Sequence, residues 1–124
     1  YAQSKLALTM WSRAMVHLHK NRALVFVAVN PGSLLATKMV KEGFGMAGND
    51  IRVGSDVLVR AVLADEFAEA SGLYFDNDKG QFASPHRDAL DAKKCQEVIG
   101  VIEATLVENR GGNWVSRTTG PKYP

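Results

Sequence analysis

Cysteine and long apolar runs are both scarce in this sequence. Cys95 is the only cysteine among 124 residues, which excludes a disulfide within the chain. No apolar stretch approaches the roughly 18 residues that a membrane-spanning helix needs, and no secretory signal is recognisable at its start. These absences predict a cytoplasmic protein without a membrane partner.

An excess of charge of one sign is missing as well. The chain carries 15 Lys and Arg against 13 Asp and Glu, interspersed, for a net charge of +2. Such a balance provides no electrostatic attraction for nucleic acid, so we predict no nucleic-acid partner. With 46% apolar and 23% charged residues, the composition is that of one ordinary globular domain.

Patterns that could bind a metal are also rare. His17 and His19 are two residues apart, so they point to different faces of a helix and cannot pair as ligands. Asp76 and Asp78 resemble the start of a calcium-binding loop, but the bidentate Glu that such a loop requires is missing. We therefore predict no metal site and a plain turn over residues 76–80.

The chain does contain a Tyr and a Lys at helical spacing, in Tyr1-Ala-Gln-Ser-Lys5. Positions i and i+4 lie on one helix face about 6 Å apart, so the phenol of Tyr1 is expected beside the ammonium of Lys5. A tyrosine alone exchanges its proton poorly near neutral pH, whereas a neighbouring positive charge favours the phenolate. This pair is therefore a candidate general acid/base.

An apolar run at residues 23–29 follows this helix and stops abruptly at Asn30-Pro31-Gly32. Continuous apolar residues are typical of a strand buried on both faces in a parallel sheet. Pro removes a backbone donor and Gly allows close backbone approach, and ligands of such sheets bind beyond the carboxyl ends of the strands. Helix, strand and breaker together predict an α/β fold with a doubly wound, Rossmann-type parallel sheet.

Together these motifs resemble the short-chain dehydrogenase/reductase family. Residues 1–5 are similar to its Tyr-x-x-Ser-Lys active-site helix, and residues 30–33 to the Pro-Gly turn after its sixth strand. Thr37 is similar to the threonine of the family's Pro-Gly-x-x-x-Thr loop, although it lies six residues after Pro31 rather than five. The resemblance extends from residue 1 to about residue 106. Within the family, the chain is most similar to the retinol-dehydrogenase-like branch, whose members reduce lipophilic carbonyls.

The resemblance implies an oxidoreductase that uses NAD or NADP to interconvert an alcohol and a carbonyl, with a lipophilic substrate as in the branch named above. Tyr1 would protonate the carbonyl oxygen and Lys5 would hold the ribose hydroxyls of the cofactor. The family also pairs its active-site helix with a second copy, which implies a homo-oligomer through helix 2–20. The cofactor-binding residues that the resemblance implies are Lys5, Pro31, Gly32, Ser33, Leu34 and Thr37.

The glycine-rich phosphate loop of this family lies upstream of its catalytic Tyr. No Gly-x-Gly-x-x-Gly occurs at a strand-to-helix turn of this chain. We therefore expect residues 1–109 to be the C-terminal half of such a domain, with the N-terminal dinucleotide-binding half absent. Residues 110–124, rich in Gly and Pro, are predicted to form a flexible tail.

The remaining segments show helical and turn signals. Asn49 or Asp50 can cap a helix over residues 51–70, and residues 73–75 read as a short strand. A last helix, capped by Asp88 or Asp91, carries an apolar stripe that includes Cys95 as a buried thiol. Residues 33–49 predict a short helix and a glycine-rich flap, either a substrate lid or a loop packed on the core.

Three alternatives remain open at this point. The Tyr-x-x-x-Lys pattern also occurs in epimerases and dehydratases of the extended branch, although these carry a longer substrate domain than about 90 residues allow. The chain could also be a non-catalytic assembly fragment, because a Tyr at a chain terminus frays and holds no fixed pose. Finally, Tyr1 and Lys5 could be a coincidence within an unrelated α/β binding module.

Overall fold

Segments with helical periodicity alternate with short apolar segments along the chain. In a computed structural model, these segments form helices packed around a small sheet. The structure describes residues 1–20 and 23–111. Its elements in chain order are α1 (Ala2–Leu18), β1 (Ala28–Asn30), α2 (Lys38–Phe44), α3 (Ile51–Leu63), a 3₁₀ turn (Asp65–Phe67), β2 (Tyr74–Asp76), β3 (Gln81–Ala83), a second 3₁₀ turn (Arg87–Leu90) and α4 (Ala92–Gly111).

The sheet has three strands in the order β1-β2-β3. β1 and β2 are parallel, with Ala28 opposite Tyr74 and Asn30 opposite Asp76. β2 and β3 are antiparallel and enclose the turn that the sequence predicts over residues 76–80. The predicted α/β class and a parallel strand pair are therefore confirmed, in a sheet that is small and mixed.

The prediction of a strand buried on both faces over residues 23–29 is wrong. Only Ala28 onward belongs to a strand, and Leu24 and Val25 are 49% and 47% exposed. The backbone of this segment does run beside the chain before β2, because the Phe26 carbonyl accepts from the Gly72 amide at 2.8 Å. Among the described residues, β1 is paired only with β2, so its other edge is open.

A cluster of aromatic rings forms the core beneath the sheet. Phe67, Phe75 and Phe82 stand with their ring centroids 5.1–5.2 Å apart, in tilted and edge-to-face geometry. Val57 of α3 and Ala70 are buried with Phe67 and Phe75, and Phe82 packs against them partly exposed. This packing also explains why α3 ends at Leu63 rather than at the predicted residue 70. The chain must turn after α3 to bring Phe67 into the core, and tertiary packing overrides helix propensity.

A second core lies between α1 and α4. Met10 and Ala14 of α1 pack with Cys95 and Ile99 of α4, and all four are buried. Cys95 is thus the buried thiol that the sequence predicts, and desolvation raises its pKa. The predicted stripe of α4 is too long, however, because Leu106 is 56% exposed.

The boundary of the predicted tail lies close to the end of α4. That helix continues to Gly111, so residues 110–111 are helical, and residues 112–124 lie outside the described part of the chain. Across residues 1–20 and 23–111, no helix combines the length and the apolar character required to span a bilayer.

The segment before α3 is a closed loop with a short helix inside it. Asn49 donates its amide to the Leu34 carbonyl at 2.7 Å, and its own carbonyl accepts from the Ala36 amide at 2.8 Å. These two bonds and the bridge between Leu35 and Asn49 close the base of the loop, and we call this closure the neck. We call residues 36–48 the flap. The flap contains α2, so the predicted short helix with a glycine-rich segment after it is confirmed.

The neck leaves no room for a side chain at Gly48. Its φ is +76°, and an added Cβ would lie 2.8 Å from the Ala36 Cα and the Leu34 carbonyl oxygen. We expect Gly48→Ala to lower the free energy of unfolding by about 3 kcal/mol, as left-handed strain and backbone overlap combine. Gly45→Ala is the matched control, because Gly45 has a φ of +63° and free space around it. Equal denaturant midpoints for the two variants would contradict this account of the neck.

Candidate functional site

The first turn of α1 brings Tyr1 and Lys5 together as the helical spacing predicts. The Lys5 Nζ lies over the Tyr1 ring, 5.4 Å from its centroid, and the Lys5 amide donates to the Tyr1 carbonyl at 3.1 Å. Ser4 donates its hydroxyl to the same carbonyl at 2.7 Å, which stabilises the start of the helix. Tyr1 is 79% exposed, so the pair is open to a ligand.

All of the site residues that the sequence singles out line one open cleft of about 1810 Å³. The start of α1 borders it on one side, β1 and the following loop contribute further lining, and α2 and α3 complete it. Small-molecule sites are usually about 300–1,000 Å³, so this cleft is larger than one small ligand fills. Its predicted residues are Tyr1, Lys5, Pro31, Gly32, Ser33, Leu34 and Thr37.

The loop after β1 is held in a conformation that most sequences avoid. Gly32 has a φ of +130°, and its amide donates to the side-chain oxygen of Asn30 at 3.1 Å. Leu34 has a φ of +51°, unusual for a residue other than Gly. Such strain persists only where neighbouring contacts enforce it, and it concentrates at functional sites. The neck supplies one of these contacts through the bond from Asn49 to the Leu34 carbonyl.

Asp78 supplies further contacts, from the turn between β2 and β3. Its Oδ1 accepts from the Ser33 amide at 2.7 Å, and its Oδ2 accepts from the Ser33 hydroxyl at 2.5 Å. The side-chain amide of Asn30 also donates to Oδ2, at 2.9 Å. These bonds, first that from the Ser33 hydroxyl, lower the pKa of Asp78 below its ordinary value. We call this set of contacts the Asp78 clamp.

Two neighbours of Asp78 reinforce the connection. Asp76 is largely buried, accepts from the Asn30 side chain at 3.1 Å and pairs with Lys79 at 3.3 Å. Asn77 donates its side-chain amide to the Pro31 carbonyl at 2.9 Å. No group of three His, Cys, Asp or Glu within residues 1–20 and 23–111 could hold a metal ion.

Sequence reasoning interpreted residues 76–80 as a turn without a role and so missed this part of the site. A signal was available, because two short apolar segments each precede a polar loop, one with Asn and Ser and the other with two Asp residues. In a parallel pair, the carboxyl ends of both strands lie at the same edge of the sheet. Complementary donors and acceptors after the two strands therefore indicate contact between their loops.

The flap presents an apolar surface to the same cleft. Met39 and Phe44 of α2 line it and are 53% and 66% exposed, whereas Val40 is buried. Thr37 accepts from the Val40 amide at 3.3 Å and caps α2, so its side chain has a structural role at the start of the flap. Val40 is thus the side chain of α2 that packs into the protein, whereas Met39 and Phe44 leave large apolar surfaces uncovered.

Searches of protein-family models, curated proteins and solved structures with this chain gave no match.

The Asp78 clamp should make stability depend on pH. Because the pKa of Asp78 is lowered by folding, its contribution is present in full above the unfolded value of about 3.9 and is lost as the pH falls through the lower folded value. We expect the difference in denaturant midpoint between the wild type and Asp78→Asn to shrink as the pH falls from about 5 to about 2. Asp56→Asn, which changes an exposed carboxyl of α3, is the matched control. A constant difference for Asp78→Asn would contradict the clamp.

Proposed function

We propose that this chain is the catalytic part of an NAD- or NADP-dependent oxidoreductase that interconverts an alcohol and a carbonyl. The observation that carries the proposal is the meeting of two motifs in one cleft. The Tyr1–Lys5 pair lies on α1, and the strained loop of residues 31–34 follows a parallel strand. Both line the cleft at the edge of the sheet where ligands of parallel sheets bind.

The roles of the two side chains follow from their chemistry. Tyr1 would donate a proton to the carbonyl oxygen during reduction and recover it during oxidation. Lys5, whose ammonium lies over the Tyr1 ring, would offer donors to ribose hydroxyls. A nicotinamide, when bound, would supply or accept the hydride.

The loop after β1 fits one edge of such a cofactor. Gly32 presents backbone without a side chain to the cleft, which allows a flat ring to approach closely. Pro31, Ser33 and Leu34 would border the ring through their backbone groups. Thr37 lines the same cleft and caps α2 by accepting from the Val40 amide. Thr37 would therefore connect the cofactor-binding loop to the helix of the flap.

The uncovered apolar side of the cleft supports a larger domain around this chain. Leu24 and Val25 are about half exposed, and β1 has one unpaired edge among the described residues. Exposed strand edges of this kind usually pair with another strand. We propose that a dinucleotide-binding half of the same Rossmann-type domain covers this edge and supplies the phosphate site.

Two further parts of the proposal concern partners. Met39 and Phe44 of the flap favour a lipophilic substrate, because closure over the cleft would bring them against it. A homo-oligomer through α1 would have to use Leu8 and Leu18, which are 57% and 51% exposed. Met10 is not available for that contact, since α4 already covers it.

A second candidate function is assembly without catalysis. Exposure of Tyr1 favours it, because at 79% exposure no packing fixes the phenol. An unpaired strand edge and a large apolar cleft would serve association equally well. The two functions differ in whether a nicotinamide cofactor binds.

The first test is cofactor binding by the 124-residue chain and by the longer protein proposed above, with its dinucleotide-binding half, which we call the full-length protein. Reduced nicotinamide changes its fluorescence on binding, and intact mass identifies the molecule that is measured. We expect saturable binding by the full-length protein and none by residues 1–124 alone, because the phosphate site is proposed to lie elsewhere. Absence of binding by the full-length protein would favour assembly over catalysis.

Tyr1→Phe tests the proposed acid/base directly. In the full-length protein we expect kcat to fall by about 10²–10⁴-fold, because proton transfer is lost while the ring remains. Cofactor affinity should stay unchanged, since Lys5 and the loop after β1 are intact. Tyr74→Phe is the matched control, because Tyr74 in β2 has no Lys four residues later. Unchanged turnover in Tyr1→Phe would rule out this mechanism.

A further inference from the structure

We infer that Asp78 is a positioning residue for the cofactor, although it contacts neither the cofactor nor the substrate. Its carboxylate fixes Asn30 and Ser33, and thereby sets the pose in which residues 31–34 meet the nicotinamide. The inference rests on the proposed function, because it assigns a purpose to a loop that the proposal places beside the cofactor.

The hydrogen bonds of Asp78 leave it little capacity to bind a ligand itself. Oδ1 accepts from the Ser33 amide, and Oδ2 accepts from both the Ser33 hydroxyl and the Asn30 side chain. A carboxylate has room for about four donors, and three of these places are taken by one loop. Its function must therefore be transmitted through that loop.

The clamp acts where the loop has few restraints of its own. Ser33 is exposed and lies between two residues with positive φ, Gly32 and Leu34. Besides its bonds to Asp78, its carbonyl accepts from the Asn49 side chain at 3.1 Å. Its amide would otherwise be free to turn, because Gly32 can adopt several backbone conformations. A bond to a carboxylate is roughly twice as strong as one between neutral groups, so Asp78 selects one conformation.

Asp76 shares the contact with Asn30 but not the contacts with Ser33. Its Oδ1 accepts from the Asn30 side chain and from the Asp78 amide, and its Oδ2 pairs with Lys79. These contacts hold the end of β2 and the turn itself. Asp76 therefore orients Asp78, and of these two carboxylates it is Asp78 that accepts from Ser33.

Asp78→Ala in the full-length protein tests the inference with two measurements. Amide hydrogen exchange at Gly32, Ser33 and Leu34 should accelerate by at least about tenfold, the scale of one hydrogen bond to a charged group. The dissociation constant for reduced nicotinamide cofactor should rise by a similar factor, with kcat at saturating cofactor little changed. Ser33→Ala, which removes only the hydroxyl contact, should give a smaller increase. Asp56→Asn is the control for loss of a carboxyl.

The outcomes separate this inference from the proposed function. Faster exchange with unchanged cofactor affinity in Asp78→Ala would overturn the positioning role and leave the proposed function standing. Exchange at the wild-type rate would overturn the clamp itself. If the wild-type full-length protein binds no nicotinamide cofactor, the proposed function fails, and the inference fails with it. Should Asp78→Ala not fold, Asp78→Asn provides the same two readouts with the side-chain shape preserved.

Discussion

The parallel pairing of β1 with β2 is the interaction on which the rest of the structure depends. Its register sets Asn30 beside Asp76, so the loops that follow both strands leave the sheet at one edge. Every contact of the Asp78 clamp joins residues that this register brings together. The aromatic cluster under the sheet stabilises the pairing from below, because Phe75 of β2 is at its centre. The candidate site therefore lies at the ends of β1 and β2, and the aromatic core packs against a face of the sheet they form.

Local signals in the sequence were sufficient for much of the fold. Periodicity located α1, the acidic residue Asp50 marked the start of α3, and Gly80 closed the turn before β3. The end of α3 could not be predicted in this way, because Phe67 is drawn into a core made by distant strands. β3 was missed for a similar reason, since three residues carry too little alternation and owe their strand geometry to β2.

The candidate site divides along the same line. Tyr1 and Lys5 could be paired from the sequence, because four residues of helix fix their relation without help from the rest of the fold. The contact of Ser33 with Asp78 spans 45 positions in the chain and exists only after the strands have paired. Sequence could indicate that both loops are polar, but their partnership is a property of the topology.

The neck has a consequence for how such a chain can change over time. Because backbone bonds between Leu34, Ala36 and Asn49 close the loop at its base, residues beyond the neck contribute little to holding the strands together. Insertions, deletions or replacement of flap residues between Ala36 and Gly48 would therefore cost mainly the entropy of a longer or shorter closed loop, which varies slowly with length. The fold can in this way keep its strands and the loops after them constant while the apolar surface of the flap diversifies.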